Sequence, residues 1–124
     1  MGLVLVVDEE ECEGILAAAV LQYAGHQPLP AASMDEALRI ISQTPIDLLF
    51  TEIATYNDIH GGLVLAQRAV QLQPLLPVLY TTGRGVTYEM RNRFVPRFGF
   101  LGKPYGAKDL IRAAANALMP LRKI

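Results

Sequence analysis

A chain of 124 residues has the common size of one domain and can bury roughly two thirds of its unfolded surface, so a core forms without disulfides or structural metals. Hydrophobic residues make up 52%, yet no apolar run approaches the roughly 18–20 residues of a membrane span, which excludes transmembrane and disordered classes. A formal net charge of -1 offers no bulk positive field to a nucleic acid, and the single Cys12 permits no internal disulfide.

Along the chain, apolar runs alternate with amphipathic stretches. Leu3 to Val7 is a continuous leucine and valine run that suits a strand buried on both faces, and it ends in Asp8-Glu9-Glu10-Glu11. Acids are stabilised in a first helical turn by the positive end of the dipole, so this cluster opens a helix, with Ile15, Leu16, Ala19, Val20 and Tyr23 as its stripe and Gly25 as its stop. Gln27 to Ala32 carries two prolines and predicts a short strand; Ser33-Met34-Asp35-Glu36 then caps a second helix with Ala37, Leu38 and Ile41 inward. Asp47 to Thr51 reads as another buried strand ending in Glu52. A loop over Ala54 to Gly62 leads to a helix with Leu63, Ala66, Ala69 and Val70 on one face, halted by Pro74 and Pro77.

Pro77 to Thr82 predicts a fourth strand, stopped by Gly83-Arg84-Gly85, and Val86 to Phe94 is compatible with a helix up to Pro96. Phe98 to Leu101 is a brief fifth strand ended by Lys103-Pro104. Lys108 to Leu121 gives a last helix with Leu110, Ile111, Ala114, Ala117 and Leu118 on its face. No linker, repeat or low-complexity tract interrupts these five βα units, so residues 1–124 read as a single domain. Strict alternation of this kind implies a doubly wound parallel sheet covered by helices on both faces, a three-layer α/β sandwich with the flavodoxin-like strand order 2-1-3-4-5.

In such sheets the site lies at the carboxyl ends of the strands, near the switch between strands 1 and 3. There stand Asp8 and Glu9, then Glu52, then Thr82 and Gly83, then Lys103. Three carboxylates at close quarters repel unless a cation joins them, and hard oxygen ligands suit Mg²⁺; a lysine and a hydroxyl opposite would complete a site for an anionic phosphoryl-like group. The spacings of zinc sites are absent, and His26 and His60 are the only histidines.

These segments resemble the receiver domain of bacterial two-component response regulators along essentially the whole chain. The matching pieces are Leu3-Val4-Leu5-Val6-Val7-Asp8-Glu9-Glu10, Asp47-Leu48-Leu49-Phe50-Thr51-Glu52-Ile53 with Gly61-Gly62 after it, Pro77-Val78-Leu79-Tyr80-Thr81-Thr82-Gly83, and Phe100-Leu101-Gly102-Lys103-Pro104-Tyr105. The resemblance implies that Asp8 and Glu9 are the acidic pair that binds Mg²⁺, with the Ala54 carbonyl as a further ligand. It likewise implies that Thr82 and Phe100 are the switch hydroxyl and aromatic, and that Lys103 holds the phosphoryl group.

Three departures matter. Glu52 stands where the family has the phosphate-accepting aspartate, Glu9 stands where a second aspartate is usual, and Thr55-Tyr56-Asn57-Asp58 replaces the Met-Pro common after the acceptor. One extra methylene moves a carboxylate by about 1 Å, a misplacement that costs around a hundredfold in an in-line transfer. The same extension brings the charge of Glu52 toward Lys103 and Thr82, where a phosphoryl group would lie. The expectation is therefore an atypical receiver that is not an enzyme, binds Mg²⁺ more weakly than the family norm and signals by protein contact, with Glu52 either inert or mimicking the phosphorylated state. A receiver or Mg²⁺-dependent phosphoryl-transfer enzyme that still works through Glu52 or another residue is the alternative.

Residues 1–60 hold ten acids against Arg39 alone, whereas residues 81–124 hold nine bases against Glu89 and Asp109. The expected contact face is strand 5 with its flanking helices, carrying Arg91, Arg93, Arg97, Lys108 and Arg112, to meet a histidine kinase, an acidic effector or a second copy in a symmetric dimer. No direct nucleic-acid or membrane contact is expected. The N-terminus lacks a signal peptide's basic segment, and the expected compartment is the cytoplasm. By residue type alone, Phe100 is expected in the core, Tyr105 against the last helix, Cys12 as a small buried or inert residue, and both histidines at the surface. A flavin module is disfavoured because four acids after strand 1 would repel a phosphate, and a phosphatase would need a strand-3 aspartate or a nucleophilic cysteine in a phosphate loop.

Overall fold

The computed structural model describes residues 2–55 and 58–120. Five strands, β1 (Leu3–Val7), β2 (Gln27–Ala31), β3 (Leu48–Glu52), β4 (Val78–Thr82) and β5 (Phe98–Gly102), alternate with five helices, α1 (Glu11–Tyr23), α2 (Met34–Gln43), α3 (Gly61–Leu72), α4 (Tyr88–Arg91) and α5 (Ala107–Ala117). All pairings are parallel, and the strand order is the predicted 2-1-3-4-5. Alternate strand residues feed two cores. Leu5, Leu49 and Tyr80 pack with α2, α3 and Met90 of α4; Val4, Val6, Phe50 and Leu79 pack with Ala17 and Leu21 of α1 and Leu110 and Ala114 of α5. No helix among the described residues is long and apolar enough to cross a membrane.

β2 tolerates Pro28 and Pro30 because it is an edge strand. The two are separated by one residue, so both missing N–H groups fall on the open side, while the Gln27 N–H donates inward to the Gly2 carbonyl at 2.9 Å. Ser33 caps α2, its hydroxyl accepting from the Glu36 N–H at 3.1 Å. Gly25, at φ 96, supplies the left-handed turn that leads α1 into β2.

Four expectations are corrected. The buried face of α1 is Ala17 and Leu21 with Val20 at its margin, whereas Ile15, Leu16 and Tyr23 are 60%, 66% and 88% exposed and Ala19 also faces out. Small residues let this helix lie close to the sheet, and the unbroken apolar run from Ile15 to Leu21 gave periodicity no contrast to read. The predicted helix over Val86 to Phe94 shrinks to one turn, capped by the Thr87 hydroxyl accepting from the Met90 N–H. Cys12 is exposed rather than buried. Finally, α5 ends at Ala117, ahead of Pro120, and Leu121 lies outside the described residues.

Candidate functional site

Parallel strands bring their carboxyl ends together, and four of the expected residues meet there. Asp8 follows β1 directly, Glu52 closes β3, Thr82 closes β4 and Lys103 follows β5. The Lys103 ammonium lies 3.1 Å from Asp8 Oδ2, 2.9 Å from Glu52 Oε1 and 2.6 Å from Glu13 Oε2. Its side chain is 15% exposed, as is that of Glu52, and Asp8 is 9% exposed. The peptide before Pro104 is cis, and the Lys103 N–H donates to the Thr82 carbonyl at 3.0 Å.

The remaining oxygens of the two buried carboxylates are also engaged. Asp8 Oδ1 accepts from the Glu10 N–H at 2.9 Å, and Glu52 Oε2 accepts from the Ala54 N–H at 3.1 Å. Burial raises the Asp8 pKa above the ordinary 3.8, against the lowering effects of the Glu10 N–H and Lys103. Burial alone would lower the Lys103 pKa, but hydrogen bonds to Glu13 and Glu52 and the charges of Asp8 and Glu52 outweigh it and hold the amine above the usual lysine value. Burial likewise raises the phenol of Tyr105, which packs edge-on against Phe50 and beside Leu110 and Ala114 of α5.

Gly62 explains how Glu52 is held. A Cβ there would run into the Glu52 carbonyl oxygen and meet Ile53 Cα at 2.7 Å, so the first turn of α3 rests directly on the backbone leaving β3. The Gly62 N–H donates to the Ile53 carbonyl at 2.8 Å. Gly62→Ala is expected to destabilise the fold by about 3 kcal/mol through overpacking against backbone, lowering Tm by about 10 °C in a thermal melt.

Not every expected site residue joins the contacts around Lys103. Thr82 is 3% exposed, and its hydroxyl accepts from the Arg84 N–H at 3.2 Å rather than meeting Glu52. Phe100 is 42% exposed, not in the core; the Phe94 ring stacks on Tyr80 at 4.2 Å between centroids and stands next to Phe100 at 6.4 Å. With α4 reduced to one turn, this side of the edge strand β5 has little to cover it. Glu9 is half-buried beside Asp8, while Tyr56 and Asn57 lie outside the described residues. The histidines are half-buried rather than at the open surface: His26 Nδ1 accepts from the Gly2 N–H, and His60 faces the Arg93 guanidinium at 3.4 Å. Sequence reasoning missed Glu13, which entered only as one of the ten acids of residues 1–60.

No protein-family model matches the sequence. An NtrX-like response regulator of Rickettsia typhi is 30% identical over 109 residues, covering 87% of this chain and 23% of that protein. The crystal structure of NtrX from Brucella abortus superposes with a TM-score of 0.84 at 31% identity, covering 94% of this chain and 26% of that one. A response regulator receiver domain from Clostridium thermocellum superposes with a TM-score of 0.81 at 27% identity, covering 95% of this chain and 94% of that one. The chain belongs to the receiver-domain family of two-component response regulators. It spans about a quarter of the length of the NtrX relatives it matches.

Receivers of this family bind Mg²⁺ beside the phosphate acceptor, and the residues present here fit such an ion poorly. Every oxygen of Asp8 and Glu52 already accepts a hydrogen bond or pairs with Lys103. Among the described residues, no group of three or more histidine, cysteine, aspartate or glutamate side chains could hold a metal ion. The cation at the centre of this receiver's acidic pocket is its own lysine.

Proposed function

We infer that this receiver works by protein contact in a fixed state and is neither phosphorylated on the strand-3 residue nor an enzyme. The pair between Lys103 and Glu52 carries this reading. Glu52 stands where the family has its acceptor, and its carboxylate sits 2.9 Å from the lysine that would otherwise hold the incoming phosphoryl group. Glu52 thus supplies an internal negative charge at the phosphoryl position, and binding of Mg²⁺ is weak. Incubating the protein with acetyl phosphate and Mg²⁺ and weighing it intact by mass spectrometry tests the reading. The expected product is unmodified protein; a phosphoryl adduct would support phosphorylation through Glu52 or another residue instead.

The partner face is β5 with the residues beside it, read within residues 1–124 as one domain acting in the cytoplasm. Phe98 and Phe100 are 44% and 42% exposed on β5, Tyr88 at the start of α4 is 80% exposed, and the Arg91 guanidinium lies 5.9 Å from the Phe98 ring. Arg91, Lys108 and Arg112 are exposed and free to meet acidic groups of a histidine kinase, an effector or a second copy. The other two expected bases have internal work. Arg97 donates to the carbonyls of Leu75 at 2.7 Å and Met119 at 3.3 Å, and Arg93 faces His60. Replacing Phe98 and Phe100 by serine is expected to lower Tm by several degrees without unfolding the domain, since each ring is more than half covered and packs against Phe94. The same change should abolish any concentration-dependent self-association in sedimentation velocity.

A further inference from the structure

We propose that Lys103, held in place by Glu13, permanently takes the position of the divalent cation in this pocket. An ammonium has three N–H donors, and here three carboxylates from three elements surround it: Asp8 after β1, Glu52 on β3 and Glu13 in the first turn of α1. The donor set is saturated. Glu13 makes the shortest of the contacts and lies outside the segments that carry the family resemblance. It reaches Lys103 across the mouth of a groove lined by Leu16, Val20, Pro104 and Tyr105, a low-dielectric wall on one side of the pair.

For a metal to enter, Asp8 and Glu52 would have to release both the ammonium and the Glu10 and Ala54 N–H groups, and Lys103 would have to swing toward solvent with Glu13. Metal entry and lysine release are therefore one event, and that coupling can be observed. The inference rests on reading this pocket as the receiver's acidic site, while its test is independent of phosphorylation.

The chain has three lysines, Lys103, Lys108 and Lys123. Reductive methylation of the intact protein at neutral pH, resolved by peptide mass, should modify Lys103 at least about tenfold more slowly than Lys108, since only the free amine reacts. The protection should be the same in EDTA and in millimolar Mg²⁺. Glu13→Gln should raise the Lys103 rate several-fold without unfolding, because Glu13 is 46% exposed and burial alone would leave protection unchanged. Release of Lys103 on adding Mg²⁺, or equal reactivity of Lys103 and Lys108 in EDTA, would overturn the proposal. As a second readout, Mn²⁺ should not saturably broaden the amide signals of Asp8 and Ile53 in the native protein but should do so in Lys103→Met; saturable binding by the native protein at least as tight as by the variant would also overturn it. A phosphoryl adduct formed while Lys103 stays protected would instead count against the proposed function alone.

Discussion

Lys103→Met is expected to destabilise this receiver by about 2–3 kcal/mol at neutral pH. Removing one partner of a buried pair leaves uncompensated charge, and here three carboxylates lose a shared cation at 2.6, 2.9 and 3.1 Å. The full cost for a buried pair is moderated because Glu13 is half-exposed and can turn to water. In a domain of this length the loss corresponds to a fall in Tm of about 8–15 °C. The pH dependence has a definite sign. The Lys103 pKa lies above its ordinary 10.5 in the folded protein, so its contribution is complete below that value and is lost as the pH rises beyond it. Asp8 lies above 3.8 when folded, so its burial costs stability at neutral pH and that cost disappears as the pH falls through and below the raised value. The gap between native and Lys103→Met melting temperatures should accordingly be widest near neutrality and narrow in acid, as the carboxylates take up protons, and again in strong alkali. A constant gap from acid to alkali would show that the lysine acts through packing alone.

Glu52→Asp is expected to make the receiver accept phosphate. The shorter side chain withdraws the carboxylate by about 1 Å, a distance worth around a hundredfold in rate when a nucleophile must sit in line with its donor. It also takes one of three partners from Lys103. Incubated with acetyl phosphate and Mg²⁺, the variant should gain one phosphoryl group in its intact mass where the native protein gains none. Recovery should be incomplete, because Glu13 still lies against the lysine at 2.6 Å. Adding Glu13→Gln should raise the yield further. If Glu52→Asp and the double variant both stay unmodified, Glu9 and the loop after β3 have diverged as well, and only the scaffold remains.

The sheet was legible because runs such as Leu3 to Val7 and Leu48 to Phe50 are apolar throughout, which only a strand covered on both faces tolerates. Once the strands are parallel, their carboxyl ends must gather Asp8, Glu52, Thr82 and Lys103. Proximity followed from topology, while the contacts did not. Glu13 sits in the first turn of a helix whose rotation about its axis could not be read from seven consecutive apolar residues, so its reach to Lys103 stayed hidden. An acid in the first turn after a strand-end aspartate was the available signal. Phe100 was misplaced because residue type argues for burial, whereas β5 is an edge strand beside a helix of a single turn. That helix was overestimated since Val86 to Phe94 contains nothing that forbids a helix except Pro96 beyond it, and β-branched and aromatic residues do not extend one.

The central claim is that the pair of Glu52 with Lys103 closes the site to a phosphoryl group. Beryllofluoride with Mg²⁺, added to the uniformly labelled native protein and to Glu52→Asp, tests it through the amide signals of Gly83, Phe100 and Lys103. These signals should stay where they are in the native protein and move in the variant. Saturable shifts at Gly83 and Lys103 in the native protein would contradict it.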